Sequence, residues 1–441
     1  MADLASTFER PVSPAARPSL NTGPVGIAFG TLALGAVYLT AIVNWRHAAL
    51  FLVGSAAGIV LYHAAFGFTS AWRVFITDGR GGGIRAQMLM LAITCLVFFP
   101  VLAAGHFFAQ PVRGSVSPVG VSVVVGAFLF GVGMQLGGGC ASGTLYTAGG
   151  GNTRMVFTLG AFIAGSVAGA AHMPWWEATP ALEPISLVTS LGPFVALVIS
   201  LSLFGMVAAV TGVVERQRHG RLVTDLHPPR SGWERMLHGP WPLLAGAFGL
   251  AVVNIATLAL TGRPWGVTSA FALWGSKALV AMGVDVGSWP YWIPAARAAE
   301  LKASVLSDIT SVMDFGIILG ALAAAGLAGL FAPIWRVPAR SLAAAIIGGL
   351  LLGYGARIAY GCNIGAFFSG IASASLHGWV WFIAAFAGNV LGTRLRPLFG
   401  LRVERGAVSG VHQGEPSAGA VSAIRSSKDT VQSTSAASIV R

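Results

Sequence analysis

The sequence predicts an all-α polytopic membrane protein with about ten transmembrane helices, folded as an inverted internal repeat around four re-entrant half-helices and hourglass in shape. Three observations predict it. Composition sets the solvent: 55% of the 441 residues are hydrophobic and 10% charged, with a mean hydropathy of +0.74, too apolar for a water-soluble fold. Ten apolar runs are long enough to cross a hydrocarbon core of about 30 Å. Two signatures also recur in the same order in each half. Gly-x-Thr-Ser-Ala stands at Gly67 to Ala71 and at Gly266 to Ala270, and Gly-Cys-x-x-Gly follows at Gly139 to Gly143 and at Gly361 to Gly365.

Residues 1–47 hold a tail and an extra transmembrane helix over Val25 to Asn44. Only two arginines precede that run and no A-x-A-like site follows it, so no removable signal peptide is expected. Residues 48–171 form the first repeat, with crossings at Ala48 to Ala65, Ala86 to Phe108, Val119 to Leu136 and Thr153 to Ala171. Between them Phe68 to Asp78 and Ala141 to Gly149 are too short to span. Residues 172–240 supply one linking crossing, Ser190 to Val214, and a basic loop. The second repeat, 241–398, crosses at Trp241 to Thr261, Ile309 to Trp335, Ser341 to Tyr360 and Gly378 to Leu398, with short segments at Val267 to Met282 and Asn363 to Ser375. Residues 399–441, rich in Ser, Ala, Gly and Val, are expected to be disordered. The four short segments begin at or just after glycines. Irregular backbone at membrane depth is tolerated only where it faces protein or water, so they read as half-helices lining a cavity, with interfacial loops as the alternative.

The net charge of +12 is topological rather than a sign of nucleic acid, because the basic residues collect between apolar runs. The loop carrying Arg216, Arg218, Arg221, Arg230 and Arg235, and the tail carrying Arg402 and Arg405, are expected in the cytoplasm. Counting crossings from there puts Arg80, Arg85, Arg336, Arg340 and the N-terminal tail on the same side, and Glu177 and Glu183 outside. Equivalent points of the repeats lie five crossings apart, so the two units have opposite orientation, and the half-helices enter from opposite sides to meet at a narrow waist.

At that waist, half-helix N-termini offer unpaired N–H groups and the positive end of a dipole, which together attract an anion. Gly139, Gly143, Gly361 and Gly365 let backbone come close to a guest, and Cys140 and Cys362 add soft thiols where the half-helices start. Ser142, Thr144 and Asn363 are short polar neighbours. An oxyanion bearing sulfur suits this set better than a metal cation or a sugar. The bland alternative makes both cysteines small buried residues in a glycine-rich packing motif. The three cysteines are too far apart for a disulfide framework or a Cys/His zinc cluster, and neither a metal nor a cofactor is expected.

The strings GVGMQLGGGCASGTLY and GARIAYGCNIGAFFSGIASASLHGWVW, and more loosely GFTSAWR, resemble the YeeE/YedE family of sulfur-compound permeases. The resemblance implies an hourglass of nine crossings with four short helices, to which this chain adds an N-terminal helix. It implies bacterial inner-membrane uptake of thiosulfate, not enzymatic turnover, with Cys140 and Cys362 relaying the anion by transient hydrogen bonds. The expected partners are a small inorganic sulfur anion and the lipid bilayer, with room for a cytosolic sulfur-carrier protein. One departure stands out. The family pattern Cys-Phe-x-x-x-x-Arg here begins with Gly67, before Phe68 and Arg73, so the third relay thiol is missing. Cys95, within LAITCLVFF, reads as core. Arg73 matches the family arginine and reads as part of the cytoplasmic exit, with a helix-end ion pair to Asp78 as the alternative. Lys277 reads either as an attractor of anions or as a snorkelling side chain, His377 as a cap for carbonyls, and Gln135, Arg357 and Tyr360 as braces. A passive anion channel, and a permease for another sulfur or selenium compound, stay open. An enzyme acting through Cys140 would want a base, and no His, Asp or Glu lies within ten residues of it.

Overall fold

The computed structural model describes residues 20–223 and 232–403. The first 19 residues, Arg230, and the tail from 404 with Arg405, whose disorder was expected, lie outside the described residues. In chain order the helices are α1 Thr22–Ile42, α2 Trp45–His63, α3 Phe68–Asp78, α4 Gly82–Ala104, α5 Val121–Gly137, α6 Ala141–Gly149, α7 Thr153–Glu177, α8 Leu187–Leu191 and α9 Pro193–His219. They continue with α10 Gly232–His238, α11 Leu243–Thr261, α12 Thr268–Ala281, α13 Ala295–Lys302, α14 Ile309–Leu327 and α15 Ala339–Ile358. A π-helical turn, Asn363–Phe368, then runs into α16 Ser369–Ala372, and α17 Leu376–Leu395 closes the bundle. Two antiparallel ribbons of two-residue strands complete it: β1 His106–Phe107 with β2 Gln110–Pro111, and β3 Val119–Gly120 with β4 Ala181–Leu182.

Nine helical stretches among the described residues are long and apolar enough to cross a bilayer. The tenth apolar run of the sequence forms α17, where His377, Asn389 and Arg394 dilute the apolar character; its buried face packs on α5. Two runs are shorter as helices than as sequence. The run ending at Phe108 stops at Ala104, because Gly105 takes a left-handed conformation and feeds the β1 ribbon. The run ending at Trp335 stops at Leu327, and Gly329 at φ 69° turns the chain into the segment leading to Pro338.

Helix pairing follows a two-fold pattern. α7 packs on α15, and α17, at the equivalent place in the second half, packs on α5; α2 packs on α14 as α11 packs on α4. The counterparts α5 and α15 cross antiparallel, Gly126 meeting Ile358 and Gly137 meeting Gly348, as an inverted repeat requires. Glycine makes these crossings close: a Cβ on Gly320 would lie 2.0 Å from the Ser55 carbonyl oxygen, and one on Gly131 2.1 Å from that of Ala385. α1 lies against α14 as α9 lies against α4, so the helix read as an N-terminal addition and the helix read as a linker occupy equivalent places.

Candidate functional site

Each half of the chain carries a long helix that breaks at a cysteine. α5 ends at Gly137, Gly138 turns the chain with φ 94°, and Cys140 becomes the N-cap of α6. Its Sγ accepts the Gly143 N–H at 3.4 Å and lies 3.5 Å from Ser142 Oγ, while Thr144 Oγ1 donates to the Cys140 carbonyl at 2.8 Å. In the second half α15 ends at Ile358, Tyr360 sits at φ 57°, Gly361 at φ 153°, and Cys362 caps the π-helical turn. Only glycine fits at 361: besides its φ, a Cβ would lie 2.7 Å from Ala366 N. A π turn and a left-handed tyrosine are costly local conformations of the kind found at functional sites.

The ends of the two long helices are held alike. Arg154, second residue of α7, donates Nη1 to the Gly137 carbonyl at 2.7 Å and Nη2 to Leu136 at 2.6 Å. His377, second residue of α17, donates Nε2 to the Ala359 carbonyl at 2.9 Å, so it caps the end of α15 rather than the half-helix that precedes it, and Trp381 Nε1 reaches the Gly361 carbonyl at 3.2 Å. Arg396 adds a bond to the Gln135 carbonyl at 2.6 Å. Carbonyls left over at a buried helix end are thereby satisfied.

Both thiols are shut off from solvent, Cys140 2% and Cys362 0% exposed. α6 packs against the turn that Cys362 caps, which brings the two cysteine-capped segments together. Asn363 is fully buried, with neither its Oδ1 nor its Nδ2 in a hydrogen bond. The set Gly139, Cys140, Ser142, Gly143 and Thr144 thus faces the set Gly361, Cys362, Asn363 and Gly365 across one contact. Arg73 is not in that cluster. It is buried on α3 and donates to Gln135 Oε1 at 3.5 Å; Gln135 in turn donates to the Thr69 carbonyl and to Asn389 Oδ1. Asp78, offered as its alternative partner, pairs instead with Arg80 at 2.5 Å.

Above Cys362 opens a cavity of about 260 Å³. Its floor includes Gly361 and Gly365, and one wall is the start of α12 at Thr268 and Ser269. A Cβ on Gly365 would meet no atom within 4 Å. Two arginines line the cavity. Arg357 donates Nη2 to the Thr268 carbonyl at 3.1 Å and Nη1 to Tyr291 Oη, and its buried Nε has no partner; Arg297 lies 4.1 Å from the centre of the Tyr291 ring. The sequence marks Arg357 only as a brace; Arg297, on α13, and Tyr291, in the loop before it, belong to no motif. Lys277 plays no such part: its Nζ donates to the carbonyls of Leu301 and Ala303, closing the end of α13. Cys95 is core, fully buried with Sγ 3.9 Å from the Ile371 carbonyl oxygen.

A polytopic helical bundle whose two broken helices meet at buried thiols beneath an arginine-lined cavity has the construction of a membrane transporter. The chain belongs to the sulphur-transport family, which matches residues 63–391. It is 34% identical over 186 residues to the probable transporter YedE of Escherichia coli (strain K12), covering 40% of this chain and 45% of that protein. It is 28% identical over 355 residues to the thiosulfate transporter TsuA of Spirochaeta thermophila, covering 77% of this chain and 95% of that one. Against TsuA of Escherichia coli (strain K12) the identity is 24% over 352 residues, 76% of this chain and 91% of that one. The matches to the YedE proteins of Escherichia coli and Salmonella typhimurium span less than half of those relatives' length. The family is described by sulphur transport, and each of these relatives by name as a transporter.

Proposed function

We propose that this protein carries a small sulfur oxyanion, thiosulfate first, into the cytoplasm of a bacterium across its inner membrane. The observation that carries the reading is the cavity of Arg297, Arg357 and Tyr291 opening onto Gly361 and Gly365, immediately above the buried Cys362. The arginines and the start of α12 draw the anion in. It then passes between Cys362 and Cys140 by hydrogen bonds that the thiols donate, with Asn363 and Ser142 as further partners and no covalent step. Burial of both thiols favours a carrier that opens by turns over a standing pore. The basic ends of α4 and α9, with Arg85, Arg216 and Arg218, face the cytoplasm, which puts the arginine cavity outside and Arg73 on the exit side. The repeat units, 48–171 and 241–398, work as two halves of one clamp, and the delivered anion passes to a cytosolic sulfur-carrier protein. Uptake of radiolabelled thiosulfate into proteoliposomes, with sulfite and selenite as competitors, tests this. Saturable uptake blocked first by unlabelled thiosulfate is expected; flux that rises linearly with concentration, or none, overturns it.

A further inference from the structure

Among the described residues, one buried carboxylate has no part in the relay and no hydrogen-bond partner. Asp314 lies in the first half of α14, 0% exposed, and neither carboxylate oxygen has a hydrogen-bond partner. A bare carboxylate in such a place is among the most costly groups a membrane protein can keep, and those that persist carry ions or protons. Its position on the helix is telling. Thr310 and Ile318, four residues before and after it, share its stripe; Thr310 accepts a hydrogen bond from Ser269 at the start of α12, and Ile318 packs on Gly149 at the end of α6. Asp314 therefore lies on the stripe of α14 between two of the four short helices, α12 and α6.

Between Asp314 and the start of α14 stand two further oxygen-bearing groups, Ser311 and Asp308. Asp308 caps α14, accepting from Ser311 N at 2.8 Å and from Ser311 Oγ at 2.7 Å. Asp308 also lines a surface cavity of about 350 Å³ with Glu300 and Arg263. Asp314 lies six positions after Asp308, about 9 Å along a helix.

The elements packed on α14 are α1, α2, α6, α10, α11, α12 and the turn Val305–Ser307, of which α11 and the turn carry no titratable side chain. Their titratable groups are Tyr38 on α1, Arg46, His47, Tyr62 and His63 on α2, Tyr146 on α6, Glu234, Arg235 and His238 on α10, and Lys277 on α12. The other carboxylate on α14 is Asp308, its N-cap.

We propose that Asp314 takes up a proton from the outside through Asp308 and Ser311 and gives it up toward the cytoplasm with each anion carried, coupling sulfur-anion uptake to the proton gradient. The proposal rests on the transport reading above. A doubly charged anion moving inward against a negative-inside potential runs uphill, and a co-transported proton offsets part of its charge. The proton leaves water outside, rides as the O–H of the Asp314 carboxyl, and is released to water inside. No bond to the anion forms.

The experiment uses the full chain in proteoliposomes holding a pH-indicator dye. Adding labelled thiosulfate outside wild-type protein, with the outside acidified, is expected to acidify the lumen and to raise initial uptake several-fold over the rate without a gradient. Asp314→Asn is expected to lose that stimulation while still exchanging labelled for unlabelled thiosulfate at equal pH; Asp314→Glu is expected to keep both. Wild-type protein that exchanges thiosulfate but neither acidifies the lumen nor responds to the gradient overturns the coupling alone, and this arm stands even where Asp314→Asn fails to fold. A folded Asp314→Asn protein that keeps the full stimulation overturns it as well. Wild-type protein that exchanges no thiosulfate overturns the transport reading and the coupling with it.

Discussion

Arg357 and Tyr291 are locked together at the mouth of the cavity: the guanidinium donates to the phenol oxygen and its Cζ stands 5.5 Å from the ring centre, while Arg297 stacks on the same ring. One tyrosine thereby aims two cations. Replacing Arg357 by Gln should lower initial uptake at sub-saturating thiosulfate about tenfold or more, since a charge-assisted hydrogen bond is worth roughly 1.5–3 kcal/mol. Tyr291→Phe keeps the ring and should cost less. Uptake kinetics that are unchanged in Arg357→Gln would remove the cavity from the path.

Cys140→Ala and Cys362→Ala should each abolish uptake in a protein that still elutes as a folded species. Alanine is smaller than cysteine, and the fold around each thiol is held by backbone caps from Arg154, His377 and Trp381 rather than by sulfur. Normal transport by either variant would sink the thiol relay.

At Gly67, where relatives are expected to carry a thiol, the backbone sits at φ −100° and ψ 119°, open to any residue. An added Cβ would meet only the Ser70 hydroxyl, 2.4 Å away, which can rotate aside. Gly67→Cys should fold and keep or raise thiosulfate uptake. Cys95→Ala should cost about 1 kcal/mol of stability and little transport. Loss of uptake in a folded Cys95→Ala protein would show that Cys95 serves the relay.

Two glycines separate space for a guest from space for a helix. Gly365 faces open cavity, so Gly365→Val should fold but slow uptake by narrowing the way to Cys362. Gly320 touches the α2 backbone, so Gly320→Val should lower the melting temperature through overpacking of about 1–3 kcal/mol or more, whatever it does to transport. Thermal melts paired with uptake assays distinguish the two, and equal thermal loss at both positions would contradict this division.

For orientation, Glu177→Cys should react with an impermeant thiol reagent in intact cells, and Arg216→Cys only after permeabilisation; both positions are exposed, and the native cysteines are buried. The reverse pattern would place the arginine cavity on the cytoplasmic side.

How far the sequence carried depended on whether a residue sat in a repeated string. The breaks at Cys140 and Cys362 were legible because glycine clusters interrupt apolar runs twice, in the same order. That His377 caps carbonyls was legible from its place at a half-helix end, but not that the carbonyl is Ala359 at the end of α15, which folding alone brings to it. Arg297 and Tyr291 were not, because their segment occurs in one half only and comes near Arg357 through folding alone. Asp314 was hidden in ITSVMDFGIILG, where one acidic residue leaves an apolar run looking apolar. The matching positions of α1 and α9 were invisible for another reason: lipid-facing helices share composition rather than motif, and only their contacts with α14 and α4 reveal the kinship.

The second residue of α7 is an arginine and the second residue of α17 a histidine, though both do the same work at the same place in the pattern. One helix end is held by a guanidinium and the other by an imidazole and an indole, so two halves alike in backbone differ in the side chains that brace their breaks. A duplicated scaffold thereby keeps its pairing while its halves diverge in chemistry at the positions its symmetry does not fix.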